Sequence, residues 1–253
     1  DTKKIIMLGR IVVYKKQKFF WWLYRWTSLK NFYVLTGYCL PWLLLLFSVA
    51  VTYGLYGALI QAPTDAVQGN VYRILYLHVP IAFMSVSIYV LLGFSSIVYL
   101  VWHIKISDII ARHSAFMGTI FCALALVTGS IWGKPMWGAW WIWDARLTSE
   151  LILLFLYLSY LLLRLTLNKG KIGMQIAAVI AIIGLLDLPI IHYSVNWWTT
   201  LHQGSTLFLF HKSKIHPEML RPLIAMFVSF ILYFVIFLLL FTREDILREE
   251  YRS

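Results

Sequence analysis

The chain has 253 residues, of which 61% are hydrophobic and 13% charged. Soluble domains carry about 25% charged residues, so this composition excludes a soluble globular protein and predicts an all-α, polytopic integral membrane protein. The formal net charge is +11, and both cysteines, Cys39 and Cys122, lie in apolar runs outside any CxxC or CxxCH motif. This pattern argues against a thiol redox motif, a zinc site and covalent haem attachment to the chain.

Residues 1–35 read as a basic and aromatic arm on the cytoplasmic side. The arm mixes eight lysines and arginines with clustered phenylalanine and tryptophan. A signal peptide would place a short basic start before one apolar core and a cleavage site, and that order is missing. Such an arm suits the surface of an anionic leaflet, and an equally good interpretation is a poorly ordered solvated tail.

Six apolar segments follow the arm, each close to the roughly 20 residues that cross a bilayer. They lie at 36–60, 73–102, 112–132, 148–166, 172–193 and 221–242. We therefore predict a six-helix membrane domain over residues 36–242, followed by a cytoplasmic tail at 243–253. Glu150 reads as an acid at the start of the fourth helix, where the helix dipole favours negative charge.

Lysine and arginine predict the orientation, because they accumulate on the cytoplasmic side. If the six segments alternate in direction, sixteen of the 22 fall on the face that carries both termini, and six on the other. Both termini are therefore predicted to be cytoplasmic. The segment at 132–150 and a loop at 193–220 are predicted to lie on the outer face.

The outer segment at 132–150 holds an unusual density of tryptophan. One interpretation is an interfacial aromatic belt, and an equally weighted one is a shaped platform for a flat apolar ligand. A belt needs no Gly133, Pro135 or Gly138, and these residues favour the platform. The platform residues are predicted to be Trp132, Trp137, Trp140, Trp141, Trp143 and Asp144.

Two histidines fall at similar depth near the outer ends of spans. His78 lies in the second segment and His192 at the end of the fifth. Ionisable residues within membrane spans are rare, and a matched pair beneath a tryptophan cluster favours metal ligands over two packing residues. Two imidazoles are too few for a closed zinc site, but they are the number that a haem iron takes axially.

Charged residues near this layer complete the candidate site. Arg73 and Arg146 lie at the outer boundary, where they can pair with haem propionates or contact a partner. Asp144 can pair with Arg146, orient a ring N–H or form a simple loop salt bridge. Asp187 can hydrogen-bond an imidazole or the haem edge, although a packing group facing another helix is favoured, and Pro189 is predicted to bend the fifth span.

Three motifs in order carry a family resemblance: RILYLHVP at 73–80, WGKPMWGAWWIWDARLTSE at 132–150, and PIIHYSVNWWTTLHQGS at 189–205. They resemble cytochrome c maturation protein C (CcmC), the six-span haem-handling protein of the WWD family. The resemblance places the axial ligands on His78 and His192, the WWD signature on 132–144, and the functional arginines on Arg73 and Arg146.

The resemblance also implies a function. Such proteins present non-covalent haem b at the outer, periplasmic face to a haem chaperone, cytochrome c maturation protein E. They work beside ABC transporter proteins A and B and a small subunit, protein D, in a lipid bilayer and without nucleic acid. This implies a haem-binding transfer factor for c-type cytochrome biogenesis, not an enzyme with its own turnover. A bacterial inner membrane is expected, with a mitochondrial inner membrane as the alternative.

Two alternatives and a set of secondary residues remain open. A membrane b-type cytochrome that carries electrons would normally need histidines at two depths, and only one layer is evident. A haem or solute transporter would need ionisable residues at mid-membrane depth, and the segments show almost none. His202, in a predicted short surface helix, is interpreted as an interfacial residue. The residues predicted to support the site without binding iron are Asp187, Trp197, Trp198 and His202.

Overall fold

The computed structural model describes residues 28–167, 170–198, 200–202 and 215–250. The predicted arm falls largely on residues 1–27, outside these ranges, and the predicted loop at 193–220 is described only in part. Within the described ranges the chain is helical and contains no named strand. The helices are α1 Leu29–Tyr56, α2 Leu75–Trp102, α3 Lys105–Trp137, α4 Ala145–Thr166, α5 Lys171–Ile183, α6 Asp187–Trp197 and α7 Pro217–Glu250.

Three short turns extend these helices. A π-helical turn, Gly57–Gln61, continues α1; a 3-10 turn, Val71–Ile74, leads into α2; and a second 3-10 turn, Gly184–Leu186, joins α5 to α6. Six spans result that are long and apolar enough to cross a membrane, and each contains one of the six predicted segments. They are Leu29–Gln61, Val71–Trp102, Lys105–Trp137, Ala145–Thr166, Lys171–Trp197 and Pro217–Arg248. The predicted six-span, all-α membrane fold is confirmed.

The spans pack as a central hairpin of α2 and α3, with α1 and α7 paired on one side and α4 to α6 on the other. Glycines allow the close approach of α1 to α7. A Cβ atom on Gly54 would lie 2.8 Å from Met226 Sδ, and one on Gly57 would lie 2.8 Å from Pro222 Cβ. On the other side, the Tyr89 and Tyr157 rings meet edge to face at 4.8 Å in the centre of the core.

Arginines join the helices at the end that the charge pattern predicts to be cytoplasmic. Arg112 pairs with Asp245 to tie α3 to α7, and His113 Nε2 contacts the same carboxylate at 2.6 Å. Arg164 on α4 donates from both of its terminal nitrogens to the two carboxylate oxygens of Asp108 on α3. Because two N–H groups meet two oxygens, this pair fixes orientation as well as distance.

The α-helix of the fifth span is interrupted close to Pro189. The α-helix gives way to a 3-10 turn at Gly184–Leu186, just before Pro189. A proline ring within a helix clashes with the carbonyl four residues earlier, here that of Leu185. Gly184 also leaves room for Tyr89, because a Cβ there would lie 2.0 Å from the tyrosine hydroxyl. The interruption places Asp187 at the start of α6, inside the bundle.

Candidate functional site

The tryptophan-rich segment is half helix and half loop. Helix α3 continues through Trp137 and ends at Gly138, whose φ of 77° is the left-handed conformation that glycine adopts at helix ends. Residues 139–144 form a non-helical stretch, the tryptophan loop, and α4 begins at Ala145. Asp144 caps that helix, because its Oδ1 accepts the Leu147 N–H at 2.8 Å. The WWD aspartate therefore marks the end of the loop.

The five tryptophans differ in their surroundings. Trp132 donates its Nε1–H to Gln68 Oε1 at 3.0 Å, and this hydrogen bond holds the loop between the first two spans against α3. Trp140 and Trp143 are 59% and 76% exposed. Trp141 meets Trp143 edge to face at 5.4 Å, and its buried Nε1–H has no hydrogen-bond partner among the described residues. The loop thus presents two open aromatic faces and one unused donor.

His78 on α2 is held from α3. Its Nδ1 lies 2.9 Å from Thr128 Oγ1, and its ring meets Trp132 edge to face at 5.7 Å. The Thr128 hydroxyl donates its one proton to the Leu124 carbonyl at 2.7 Å, so it accepts from the imidazole. The proton of a neutral His78 therefore sits on Nδ1, and the lone pair on Nε2 is available to a metal.

This contact gives a direct test of how His78 is held. Thr128→Val keeps the shape but removes the acceptor, so we expect haem affinity to fall about 10–100-fold, the range for losing the hydrogen bond that orients a metal-bound histidine. Haem titration of the purified protein by absorption measures the change. Thr128→Ser should retain the affinity. Equal losses in the valine and serine variants would show that packing at this position, not the hydroxyl, is what matters.

His202 follows α6 and lies against the tryptophan loop. Its ring centroid is 4.9 Å from that of Trp137, and its Nδ1 faces Asp144 Oδ2 at 3.7 Å. Asp144 Oδ2 also accepts the Thr200 hydroxyl, and Thr200 Oγ1 accepts the His202 N–H at 3.1 Å. Burial, and then the charge of Arg146, lowers the pKa of His202 to about 4 against the opposing effect of Asp144. The ring is neutral at pH 7, as a metal ligand must be.

Arg146 is a charged residue that influences both of these histidines. It is an electrostatic neighbour of both His78 and His202, and its Nη1 donates to the Ile191 carbonyl at 3.2 Å. The residue occupies the first turn of α4, where the helix dipole disfavours a cation. Because a cation at this position destabilises the helix, Arg146 is better explained by the binding of an anionic ligand than by a role in helix stability.

His202, and not His192, is among the residues that act electrostatically on His78. His192 is exposed on α6, and its ring contact is with the adjacent Tyr193 at 4.8 Å. No hydrogen bond, ion pair or ring contact joins His192 to His78 in the part of the chain that the structure describes. The sequence predicts only a supporting role for His202, because this residue lies beyond the fifth apolar segment. The signal for it was Asp144, the acid that directly follows the last tryptophan of the run.

Arg73 acts as a cap in this structure. Its guanidinium donates to the Ala58 carbonyl, to the Ala62 carbonyl at 2.9 Å and to Asn70 Oδ1 at 3.3 Å. These carbonyls end the first span, where helices leave acceptors unsatisfied. The predicted propionate contact of Arg73 stays a prediction.

Trp197 and Trp198 are exposed beside His192. Trp197 stacks on Tyr193 at 5.3 Å and meets Trp198 edge to face at 5.8 Å. Their predicted supporting role also stays a prediction.

Comparisons with known proteins identify the family. A family model described as "Heme exporter protein C" matches residues 22–253. The "Heme exporter protein C" of Escherichia coli strain K12 is 44% identical over 220 residues, which cover 87% of this chain and 89% of the relative. The chain belongs to the heme exporter protein C family. The match includes all three motifs on which the resemblance rests.

Further relatives come from bacteria and from plants. The "Heme exporter protein C" of Haemophilus influenzae is 41% identical over 229 residues, covering 90% of this chain and 93% of the relative. A "Putative cytochrome c biosynthesis ccmC-like mitochondrial protein" of Marchantia polymorpha is 42% identical over 214 residues, which cover 85% of this chain and 87% of the relative. The relatives therefore include bacterial proteins and a plant protein named as mitochondrial.

Glu150 was misplaced by sequence reasoning. It does not open α4, which begins five residues earlier, but points into the bundle and accepts a hydrogen bond from Ser85 Oγ at 2.6 Å. The sequence predicts an acid near a helix start; the structure shows an acid in the second turn, facing α2. Asp187, predicted to contact an imidazole or to pack, is 8% exposed and an electrostatic neighbour of Glu150.

Proposed function

We propose that this protein binds haem b non-covalently at the outer end of the bundle and delivers it to a haem chaperone for c-type cytochrome biogenesis. The observation that carries the proposal is that His78 and His202, each packed against a tryptophan of the segment at 132–150, both interact electrostatically with Arg146. The hydrogen bond from His78 Nδ1 to Thr128 leaves Nε2 of His78 for iron, and His202 has the Asp144 carboxylate 3.7 Å from its Nδ1.

The surrounding residues fit a haem in composition. A haem needs two axial ligands, apolar faces and donors for its carboxylates. The two histidines supply the axial ligands. The Trp132 and Trp137 rings that contact them supply apolar faces, and the Arg146 guanidinium supplies donors for the carboxylates. The unpartnered Trp141 N–H is a further donor. His192 is the alternative second ligand, as the sequence predicts.

Family membership supports the rest of the proposal. Relatives are named for haem export and for cytochrome c biosynthesis. We propose cytochrome c maturation protein E as the acceptor of the haem, and ABC transporter proteins A and B with small protein D as the complex. In this scheme the chain is a transfer factor and not an enzyme, and it lies in a bacterial inner membrane. Trp140 and Trp143, both largely exposed, offer the acceptor an aromatic docking surface.

A transfer assay tests the proposal. Protein purified in detergent with its haem should show the absorption of a bis-imidazole haem. Addition of the soluble domain of the chaperone should move that haem to the chaperone, where it becomes covalently held. A chaperone variant without its haem-attaching histidine is the control and should gain no covalent haem. Haem that stays on the protein and instead exchanges electrons with a quinone would favour the electron-carrier alternative.

A further inference from the structure

The loop between the first two spans, residues 62–70, is held at its start by the turn that follows it. The Tyr72 hydroxyl donates to the Pro63 carbonyl at 2.6 Å, and the Tyr72 side chain is buried. The Arg73 guanidinium donates to the Ala62 carbonyl at 2.9 Å. Because both donors belong to the 3-10 turn that leads into α2, the loop and the outer end of α2 form one structural unit.

The second half of this loop turns around Asp65. Its Oδ1 accepts the Val67 N–H at 2.9 Å and the Gln68 N–H at 2.7 Å. The Gly69 N–H donates to the Asp65 carbonyl at 3.0 Å, and Gly69 has a φ of 59°, in the left-handed region that glycine adopts readily. An aspartate that accepts backbone N–H groups just ahead of it is a common support for a turn. The backbone of Gln68 is therefore fixed by the loop itself.

The side chain of Gln68 supplies the acceptor for the Trp132 N–H. Trp132 lies near the end of α3, and its Nε1–H donates to Gln68 Oε1 at 3.0 Å. An indole has one donor and no acceptor, so this bond uses all of its hydrogen-bonding capacity. The torsion that sets the plane of a tryptophan ring has broad energy wells, so the torsion itself selects no single plane. A fixed acceptor at the N–H edge of the ring does select one.

The Trp132 ring in turn lies against the imidazole of His78. The two ring centroids are 5.7 Å apart, and the ring planes meet at 73°. Thr128, one helical turn before Trp132 on α3, has its Oγ1 2.9 Å from His78 Nδ1. Gly129 leaves space for the imidazole, because a Cβ atom there would lie 3.0 Å from His78 Cε1. Helix α3 therefore meets the imidazole with a hydroxyl, a glycine and an indole.

One hydrogen bond does not fix the plane of an imidazole. The bond from His78 Nδ1 to Thr128 sets the position of one ring atom, and the ring can still tilt about that atom. The edge-to-face contact with Trp132 restricts this tilt. The lone pair of Nε2 lies in the ring plane, so the tilt decides where a metal can be held. The plane of His78 thus depends on the plane of Trp132, which depends on the acceptor that Gln68 provides.

We propose that Gln68 is a positioning residue for His78, because it holds the Trp132 indole in the plane that directs the His78 Nε2 lone pair toward its ligand. Gln68 acts through Trp132 and not through the imidazole itself. The identity of the ligand as haem iron rests on the proposed function, whereas the link from the loop to the imidazole does not. The loop at 62–70 is thereby part of the structure that holds the ligand, and a shift of this loop changes the orientation of His78.

Nuclear magnetic resonance of the haem-free protein, with isotope-labelled tryptophan and histidine, tests this link. In Gln68→Leu the Trp132 Nε1–H signal, assigned by its loss in Trp132→Phe, should move and exchange faster with water. The His78 ring signals should move with it. Gln68→Glu keeps an acceptor oxygen at the same length and should restore protection of the N–H. Gln61→Leu removes the same amide from an exposed position and should change neither signal. Unchanged Trp132 and His78 signals in Gln68→Leu would overturn the proposal.

Haem titration distinguishes positioning through Trp132 from a separate effect of the loop. Gln68→Leu should lower the haem affinity of the purified protein about 2–10-fold, the net effect of one hydrogen bond. Trp132→Phe keeps an aromatic ring without the N–H and should also lower the affinity. Adding Gln68→Leu to Trp132→Phe should cause no further loss, because the two side chains act through one bond. Losses that add in the double variant would overturn the route through Trp132.

Electron paramagnetic resonance of the ferric haem gives a spectroscopic check, because its signal depends on the orientation of the imidazole planes. The signal should change in Gln68→Leu and stay as in the wild type in Gln61→Leu. If Gln68→Leu does not fold, Gln68→Met, whose sulfur is only a weak acceptor, takes its place in all three measurements. A chain that bound no haem would contradict the proposed function alone, since the resonances of the haem-free protein would still decide the role of Gln68.

Discussion

Replacing His202 by alanine is expected to remove haem from the purified protein, as His78→Ala should, whereas His192→Ala should retain it. The reason is the geometry of the rings. His78 and His202 share Arg146 as a neighbour, and each packs edge to face or tilted against a tryptophan of the outer segment. Losing a ligand to iron should weaken binding by more than about 100-fold, beyond the loss caused by removing a hydrogen bond to such a ligand.

The measurement is haem per polypeptide after purification, read from the absorption of the reduced protein. Added imidazole should partly restore binding to His202→Ala, because it can enter the position that the side chain leaves. His192→Ala is the matched control, since it removes the same group from a neighbouring, exposed position. Loss of haem in His192→Ala together with full retention in His202→Ala would instead support His78 and His192, the ligand pair predicted from sequence.

The spans were predictable because the membrane imposes a length on apolar segments. Each predicted segment falls within one observed span, and the errors lie at the ends. Helix α3 begins seven residues before its predicted start, and its first turns carry Asp108 and Arg112. Charged residues ended the apolar run without ending the helix, because Asp108 pairs with Arg164 and Arg112 with Asp245 at the rim of the bundle.

Sequence and structure favour different second histidines beside His78. Reasoning from depth follows a residue along a helix, and it can be applied to His78 on α2. His202 lies past the end of α6, where the chain is no longer helical. Its position is set by Thr200 and Asp144, a contact between residues 56 positions apart. No local period encodes such a contact, so the depth of His202 cannot be derived from the sequence pattern.

The interior acids escaped prediction for a related reason. The prediction that Glu150 lies at the start of the fourth helix depends on where that helix begins, and this is decided by the residue that caps it. Because Asp144 takes the cap, Glu150 moves into the second turn and turns toward Ser85. The cap was readable in principle, since an aspartate before an apolar run is a common helix start.

Asp144→Ala is expected to be the most damaging change in the tryptophan loop. The carboxylate accepts from the Leu147 N–H, receives the Thr200 hydroxyl and faces His202 Nδ1, with its side chain only 6% exposed. Loss of the cap should cost about 1 kcal/mol of stability. Loss of the contact that orients His202 should lower haem affinity by about 10–100-fold.

Asp144→Asn separates these two effects. Its amide oxygen can still cap α4, and its amide NH2 takes the place of Oδ2 and can donate to the Thr200 oxygen instead of accepting from it, so thermal stability should stay near that of the wild type. Its neutral amide no longer offers His202 a negative charge, so haem affinity should fall toward that of Asp144→Ala. Thermal unfolding in detergent and haem titration on the same samples give both quantities. If asparagine supported wild-type haem affinity, the carboxylate would act by holding the loop in place, and its charge beside His202 would be dispensable.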